Sequence, residues 1–273
     1  MPTAVLFPGQ GSHADGMEEP WSDAPRLQAG LALLDYDPFS RLDEGTRYQQ
    51  PAIFLCSVAA WDARVEDPEA AAPIAGAGHS LGEYAALVAA GALAFEDALR
   101  LVDVRAAAMD RANELVPGGM VALLGGDIDV ARALARQTGL HVANDNAPGQ
   151  VVLSGREEGI EQALELGREY EVRARRLPVS AAFHTPLMAP ASDDLAAALR
   201  EVEVLAPTFP VISNATAEPF SDIRGELVAN LLAPVRFRET LLALADEGVE
   251  TFEEVGPGRV LSGLVRRTVT VAA

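Results

Sequence analysis

The sequence predicts an α/β fold: a parallel-sheet core carrying an inserted β-α-β-β-α-β unit of ferredoxin-like type. Three observations predict it. An N-terminal apolar run breaks into a glycine-rich turn, a serine lies between glycines at a strand-to-helix junction, and the rhythm changes between Met120 and Leu177. Thr3-Ala4-Val5-Leu6-Phe7 reads as a short buried strand, and Pro8-Gly9-Gln10-Gly11-Ser12 ends it. The glycines beside Gln10 let its backbone N–H point into a cleft. A second apolar run, Ala72-Pro73-Ile74-Ala75-Gly76, leads through Gly78-His79-Ser80-Leu81-Gly82 into the helical run Tyr84–Ala90. Gly78 and Gly82 supply the positions without a Cβ that a tight turn needs. Ser80 then sits at a helix N-terminus, where free N–H groups and the helix dipole favour negative charge. That layout is a nucleophile elbow and makes the core hydrolase-like.

From Met120 the pattern is strand 120–124, helix 128–137, strand 140–144, strand 150–154, helix 157–168 and strand 171–177. Apolar spacing in the second helix (Ile160, Ala163, Leu164) and a turn at Asn146-Ala147-Pro148-Gly149 support it. After Pro178 loops, helices and strands resume, with Glu201–Val204 and Val211–Asn214 as further strands and 219–225 as a loop. The expected division is a catalytic hydrolase-like domain over 1–111 and 178–273, interrupted by a ferredoxin-like subdomain over 112–177.

Composition narrows the partners. The 273 residues carry a net charge of −19, which disfavours nucleic acid, since phosphate binding needs clustered positive charge. Lys is absent, so a lysine nucleophile or Schiff base is excluded. The single cysteine, Cys56, lies in an apolar run and reads as a buried structural thiol. No His/Cys spacing suggests a metal site. No leader and no apolar run long enough to span a bilayer is seen, so the expectation is a cytoplasmic, freestanding monomer.

A serine hydroxyl needs a base to take its proton, and the chain has four histidines. His79 adjoins Ser80 and points away from it, so it either braces the elbow or packs beneath it. His141 falls on a strand and reads as structural. His13 is cleft-lining or exposed. His184, in a loop after a strand, can reach the elbow. An acidic residue orienting the base cannot be singled out among forty. Arg105 lies among Val102, Val104, Ala106, Ala107 and Ala108; a guanidinium buried there needs an anionic partner, from the protein or from the substrate.

Phe7-Pro8-Gly9-Gln10-Gly11-Ser12 at the chain start, followed by Gly78–Tyr84, resembles the malonyl-CoA:acyl carrier protein transacylase family, which includes the acyltransferases of fatty acid and polyketide synthesis. Gln49–Ile53, Arg105 with Met109, Asn144–Val152, Ala182-Phe183-His184 and Glu254–Gly258 match its further motifs in order, covering residues 3–267. The resemblance implies a Ser80–His184 dyad whose histidine is held by the main-chain carbonyl of Asn230. It implies an oxyanion hole from the N–H groups of Gln10 and Leu81, and substrate contacts from Arg105, Gln50, Met109, Phe183 and Asn146. Arg105 would pair with the malonyl carboxylate, while Phe183 leaves little room for an α-methyl branch. No cofactor is implied; malonyl-CoA is the donor, and the acceptor is the phosphopantetheine thiol of an acyl carrier protein, in fatty acid synthesis or in trans to a polyketide synthase. Arg173, Arg175 and Arg176 form a basic cluster that would meet the acidic carrier, or a solvated edge strand. Two departures stand out: His13 where the family usually has Gln, and Ala181 where the malonyl pattern carries His. The other classes compatible with the residues are a serine hydrolase clearing acyl groups from carrier proteins and a non-catalytic docking subunit of a synthase.

Overall fold

The computed structural model describes residues 1–179 and 181–269. The chain opens with β1 (Thr3–Phe7), passes through α1 (Pro25–Leu34) and α2 (Thr46–Glu66), and returns by β2 (Pro73–Gly78) to α3 (Gly82–Ala89) and α4 (Phe95–Leu115). Next come β3 (Gly118–Leu124), α5 (Ile128–Thr138), β4 (His141–Ala147), β5 (Gln150–Arg156), α6 (Glu157–Leu166) and β6 (Arg173–Arg176). Then follow α7 (Ala189–Leu199), β7 (Val211–Ile212), α8 (Ile223–Asn230), α9 (Phe237–Asp246), β8 (Thr251–Glu254) and α10 (Val260–Thr268).

Two four-stranded sheets result. The first runs β7-β2-β1-β8, and its pairings are all parallel. All five residues of β1 are buried, as a strand covered by helices on both faces must be. One face packs Val5 and Phe7 against α2 and α3; the other packs Ala4 and Leu6 against α9 and α10. Ligands in such sheets bind beyond the carboxyl ends of the strands. Here those ends lead to Gln10 after β1, Ser80 after β2 and Asn214 after β7.

The second sheet is antiparallel in the order β4-β5-β3-β6, with α5 and α6 against one face, which is the expected ferredoxin-like arrangement. Alternation divides its side chains. Val121, Leu123, Val151 and Leu153 pack under α5 and α6, whereas Met120 and Val152 join the main core. Asp127 caps α5 through the N–H groups of Asp129 and Val130, and Gly139 ends it in a left-handed conformation. The sheets are tied together at β4. Val235 N–H donates to Ala143 O (2.8 Å), Asp145 N–H donates to Val235 O (2.9 Å), and Arg238 grips the buried Asp145 carboxylate.

Some expected boundaries move. β4 extends to Ala147 because its pairing with β5 continues to the two-residue Pro148-Gly149 turn, and β5 extends to Arg156 because it pairs with β3 as far as Gly118. α6 ends at Leu166, and β6 shortens to Arg173–Arg176. α4 continues past Arg111 to Leu115, and α8 begins at Ile223 within the expected loop. Glu201–Val204 is not a strand. The edge of β2 is already taken by β7, and the segment is instead pinned to the α3–α4 connection, Leu205 N–H to Ala92 O (3.0 Å).

Candidate active site

The elbow is built by steric exclusion. A Cβ on Gly78 would lie 1.9 Å from the Gly82 carbonyl carbon, and one on Gly82 would lie 2.0 Å from Phe7 O. Only glycine lets β1, β2 and the start of α3 approach this closely. Ser80 is forced to φ 52°, and His184 has φ 58°. Both are side chains in the left-handed region, a costly conformation that clusters at functional sites.

The two residues meet. Ser80 Oγ lies 2.9 Å from His184 Nε2, and His184 Nδ1 lies 2.7 Å from the Asn230 main-chain oxygen. A carbonyl only accepts, so Nδ1 carries the proton and Nε2 presents its lone pair to the Ser80 hydroxyl. Burial, followed by the charge of Arg105, holds the His184 pKa down to about 3, so the imidazole is a neutral base at physiological pH.

Arg105 is 2% exposed and reaches the dyad from α4, donating from Nη2 to Ser80 Oγ (2.9 Å) and from Nη1 to Gln50 Oε1. No carboxylate pairs with it among the described residues. Burial lowers its pKa, with opposing help from Tyr84 and Glu83. Gln50 is fully buried on α2 and acts behind Arg105: its Nε2 also reaches Gln10 Oε1 (3.3 Å) and Met109 Sδ (3.4 Å). A buried cation without a salt-bridged anion, aimed at a nucleophile, can receive an anionic group.

Above these groups lies a cavity of about 490 Å³ whose lining includes Ser80, Leu81, Gln10, Met109, Asn146, Phe183 and His184. The N–H groups of Gln10 and Leu81 donate to no acceptor among the described residues, while Ser80 N–H is already taken by Asn214 Oδ1 (2.6 Å). Free donors flanking the nucleophile can serve a developing oxyanion. His79 is half-buried and bonded through Nε2 to Asn146 Oδ1 (2.7 Å), so it braces the elbow against β4 and leaves Asn146 Nδ2 for the cavity. His13 lines the cavity, with burial lowering its pKa against the pull of Asp15. His141 is exposed on β4.

The arginine cluster lies apart from the cavity lining, on the edge strand β6. Arg176 is engaged by Glu157 (2.6 Å) and by Glu161, whereas Arg173 and Arg175 are exposed on a strand that leads to the cavity-lining Leu177, Pro178 and Val179. Cys56 is buried, its thiol pushed up to about 12 by desolvation, which makes it inert.

Two further residues belong to the site and were not expected from sequence. Asn214 accepts from Ser80 N–H and donates from Nδ2 to Gly78 O (2.7 Å). Glu83, fully buried on α3, accepts from Asn214 N–H (2.6 Å) and from the Asn230 side chain. Asn214's position after a strand of the parallel sheet was the available signal.

Residues 22–273 match the family model described as an acyl transferase domain. The chain is 39% identical to the malonyl CoA-acyl carrier protein transacylase of Bacillus subtilis, across 97% of this chain and 89% of that protein. It is 40% identical to the polyketide biosynthesis protein ThaF of Burkholderia thailandensis, but spans only 24% of that protein's length. It superposes at a TM-score of 0.91 and 36% identity on a structure described as a type II PKS acyl-carrier protein in complex with its malonyl-transacylase, covering 99% of this chain and 94% of that one.

Proposed function

The chain belongs to the malonyl CoA-acyl carrier protein transacylase family, and we propose that Ser80, His184 and Arg105 carry its chemistry. The enzyme moves a malonyl group from malonyl-CoA, through an ester on Ser80, to the phosphopantetheine thiol of an acyl carrier protein. His184 Nε2 takes the Ser80 proton as Oγ attacks the thioester carbonyl. The N–H groups of Gln10 and Leu81 receive the oxyanion. The tetrahedral centre collapses with loss of the CoA thiolate, to which the imidazolium returns its proton. The carrier's thiol then repeats the sequence on the ester, with His184 again as base, and Ser80 recovers its proton. Asn230 O stabilises the imidazolium at Nδ1, the part an acid has in a triad.

The observation that carries the reading is Arg105. A buried guanidinium bonded to the nucleophile, with no protein carboxylate, fits an acyl group ending in a carboxylate. The same observation disfavours a hydrolase of simple acyl chains, and a docking subunit has no use for a 2.9 Å Ser80–His184 contact. Gln50 holds Arg105 in place, and Met109, Phe183 and Asn146 shape the acyl pocket.

The division into 1–111 with 178–273 and an inserted 112–177 is supported by the two separate sheets, and the site lies where they face each other. Arg173 and Arg175 lead into the cavity mouth and suit an acidic carrier despite the net charge. A cytoplasmic location fits substrates made there; no helix among the described residues is long and apolar enough to cross a membrane. The test is a panel of acyl-CoAs followed by intact mass. A malonyl adduct that forms in preference to acetyl or methylmalonyl supports the assignment, and an adduct blind to the carboxylate refutes it.

A further inference from the structure

We propose that Glu83 is a positioning residue that locks the nucleophile and the base into one frame. The inference rests on the Ser80–His184 reading above. Its geometry is specific. One carboxyl group on α3 joins two segments that are distant in the chain: Oε1 accepts from Asn214 N–H (2.6 Å), and Oε2 meets the Asn230 side-chain amide. Each of those residues holds one half of the dyad. Asn214 takes Ser80 N–H on Oδ1 (2.6 Å) and donates Nδ2 to Gly78 O (2.7 Å), so it clamps the elbow from both sides of the serine. Asn230 presents its main-chain oxygen to His184 Nδ1 (2.7 Å). The Ser80–His184 distance is therefore set through Glu83, although Glu83 touches neither side chain.

Nothing at the surface explains this carboxyl. Glu83 is fully buried, forms no salt bridge among the described residues, and sits where an acidic residue would ordinarily do no more than face the helix N-terminus in solvent. Burial pushes its pKa up to about 8, against the pull of the Asn214 and Asn230 bonds and of Arg105, so at neutral pH it is largely protonated. The frame accommodates both forms. An ionised Glu83 accepts from Asn230 Nδ2; a protonated one donates to Asn230 Oδ1, a buried atom with no other partner among the described residues, once the amide turns over. Its function is thus hydrogen bonding and shape, and a glutamine can supply both.

The experiment compares the wild type, Glu83→Gln, Glu83→Ala and Asn230→Ala in malonyl transfer to a holo carrier protein, and in the rate at which phenylmethanesulfonyl fluoride modifies Ser80. Glu83→Ala leaves the frame open, and misplacement of this kind costs about 10²-fold. The expected result is that loss in kcat and in Ser80 modification, with KM little changed, and most of both rates retained in Glu83→Gln. Asn230→Ala keeps the carbonyl that His184 uses and removes only the tether, so it should show the same loss; it carries the test if Glu83→Ala does not fold. Wild-type rates in both alanine variants overturn the proposal, as does a change in KM alone, or an equal loss in Glu83→Gln and Glu83→Ala. The sulfonyl fluoride needs no malonyl group. A wild type that reacts with it yet forms no malonyl ester refutes the substrate assignment and leaves the frame to be judged on its own.

Discussion

Removing the Arg105 guanidinium separates the two substrates that differ only in a terminal carboxylate. In the free enzyme the cation is 2% exposed and donates to Gln50 and Ser80 Oγ, with no carboxylate salt-bridged to it among the described residues. Tyr84 and Glu83 offset part of its desolvation, and a malonyl carboxylate would supply the paired charge. Truncating one partner of a buried charge pair costs about 2–5 kcal/mol, which is roughly 30- to 5,000-fold in kcat/KM. Arg105→Ala should lower malonyl transfer by a factor in that range. Acetyl transfer should hold or rise, for two reasons visible in the site. Arg105 occupies a lone pair of Ser80 Oγ, and its charge is one of the causes that lower the His184 pKa, so its removal frees the nucleophile and strengthens the base. The assay is kcat/KM for malonyl-CoA and acetyl-CoA on wild type and variant, with the ratio as the reported quantity. An equal fall for both would make Arg105 a structural residue and remove the main support for carboxylate recognition.

Three further outcomes follow from the geometry. His184→Ala should cost at least ~10²–10⁴-fold in Ser80 acylation, as loss of a general base does, whereas His141→Ala, exposed on β4, should cost little; equal losses would refute the assignment. Because the folded His184 pKa lies near 3, below the ordinary 6.5, the base stays neutral as pH falls through 6.5, so kcat/KM should show no midpoint there; a clear inflection near 6.5 would contradict the buried dyad. His79→Ala should loosen the elbow without removing the base, giving a partial loss of kcat; complete inactivity with an intact fold would make His79 catalytic.

The elements legible in the sequence were those that local sterics and periodicity dictate. Gly78 and Gly82 mark the elbow because no other residue fits there, and the antiparallel unit shows its rhythm because short apolar strands alternate with amphipathic helices. Glu83 and Asn214 were hidden for physical reasons. Among forty acidic residues one more in the first turn of a helix carries no signal, and its burial comes from packing. Asn214 reads from sequence as the last residue of the strand Val211–Asn214, whereas the strand ends at Ile212 and leaves Asn214 beyond its carboxyl end. The alternating Glu201-Val202-Glu203-Val204 looks like a strand, yet it joins neither sheet, and the following Leu205 bonds to the α3–α4 connection at Ala92. Arg173-Ala174-Arg175-Arg176 reads as one basic patch, but Arg176 faces α6 and is neutralised by two glutamates on it.

The direct measurement is where the malonyl group is held and where it goes. Wild-type enzyme is incubated with malonyl-CoA, digested and mapped by mass, beside Ser80→Ala; a second aliquot is chased with holo acyl carrier protein. The expected result is a malonyl ester on the peptide containing Ser80, none on the variant, and discharge to the carrier thiol faster than to water. An adduct that survives in Ser80→Ala, or an ester released as free malonate before it reaches the carrier, would contradict it.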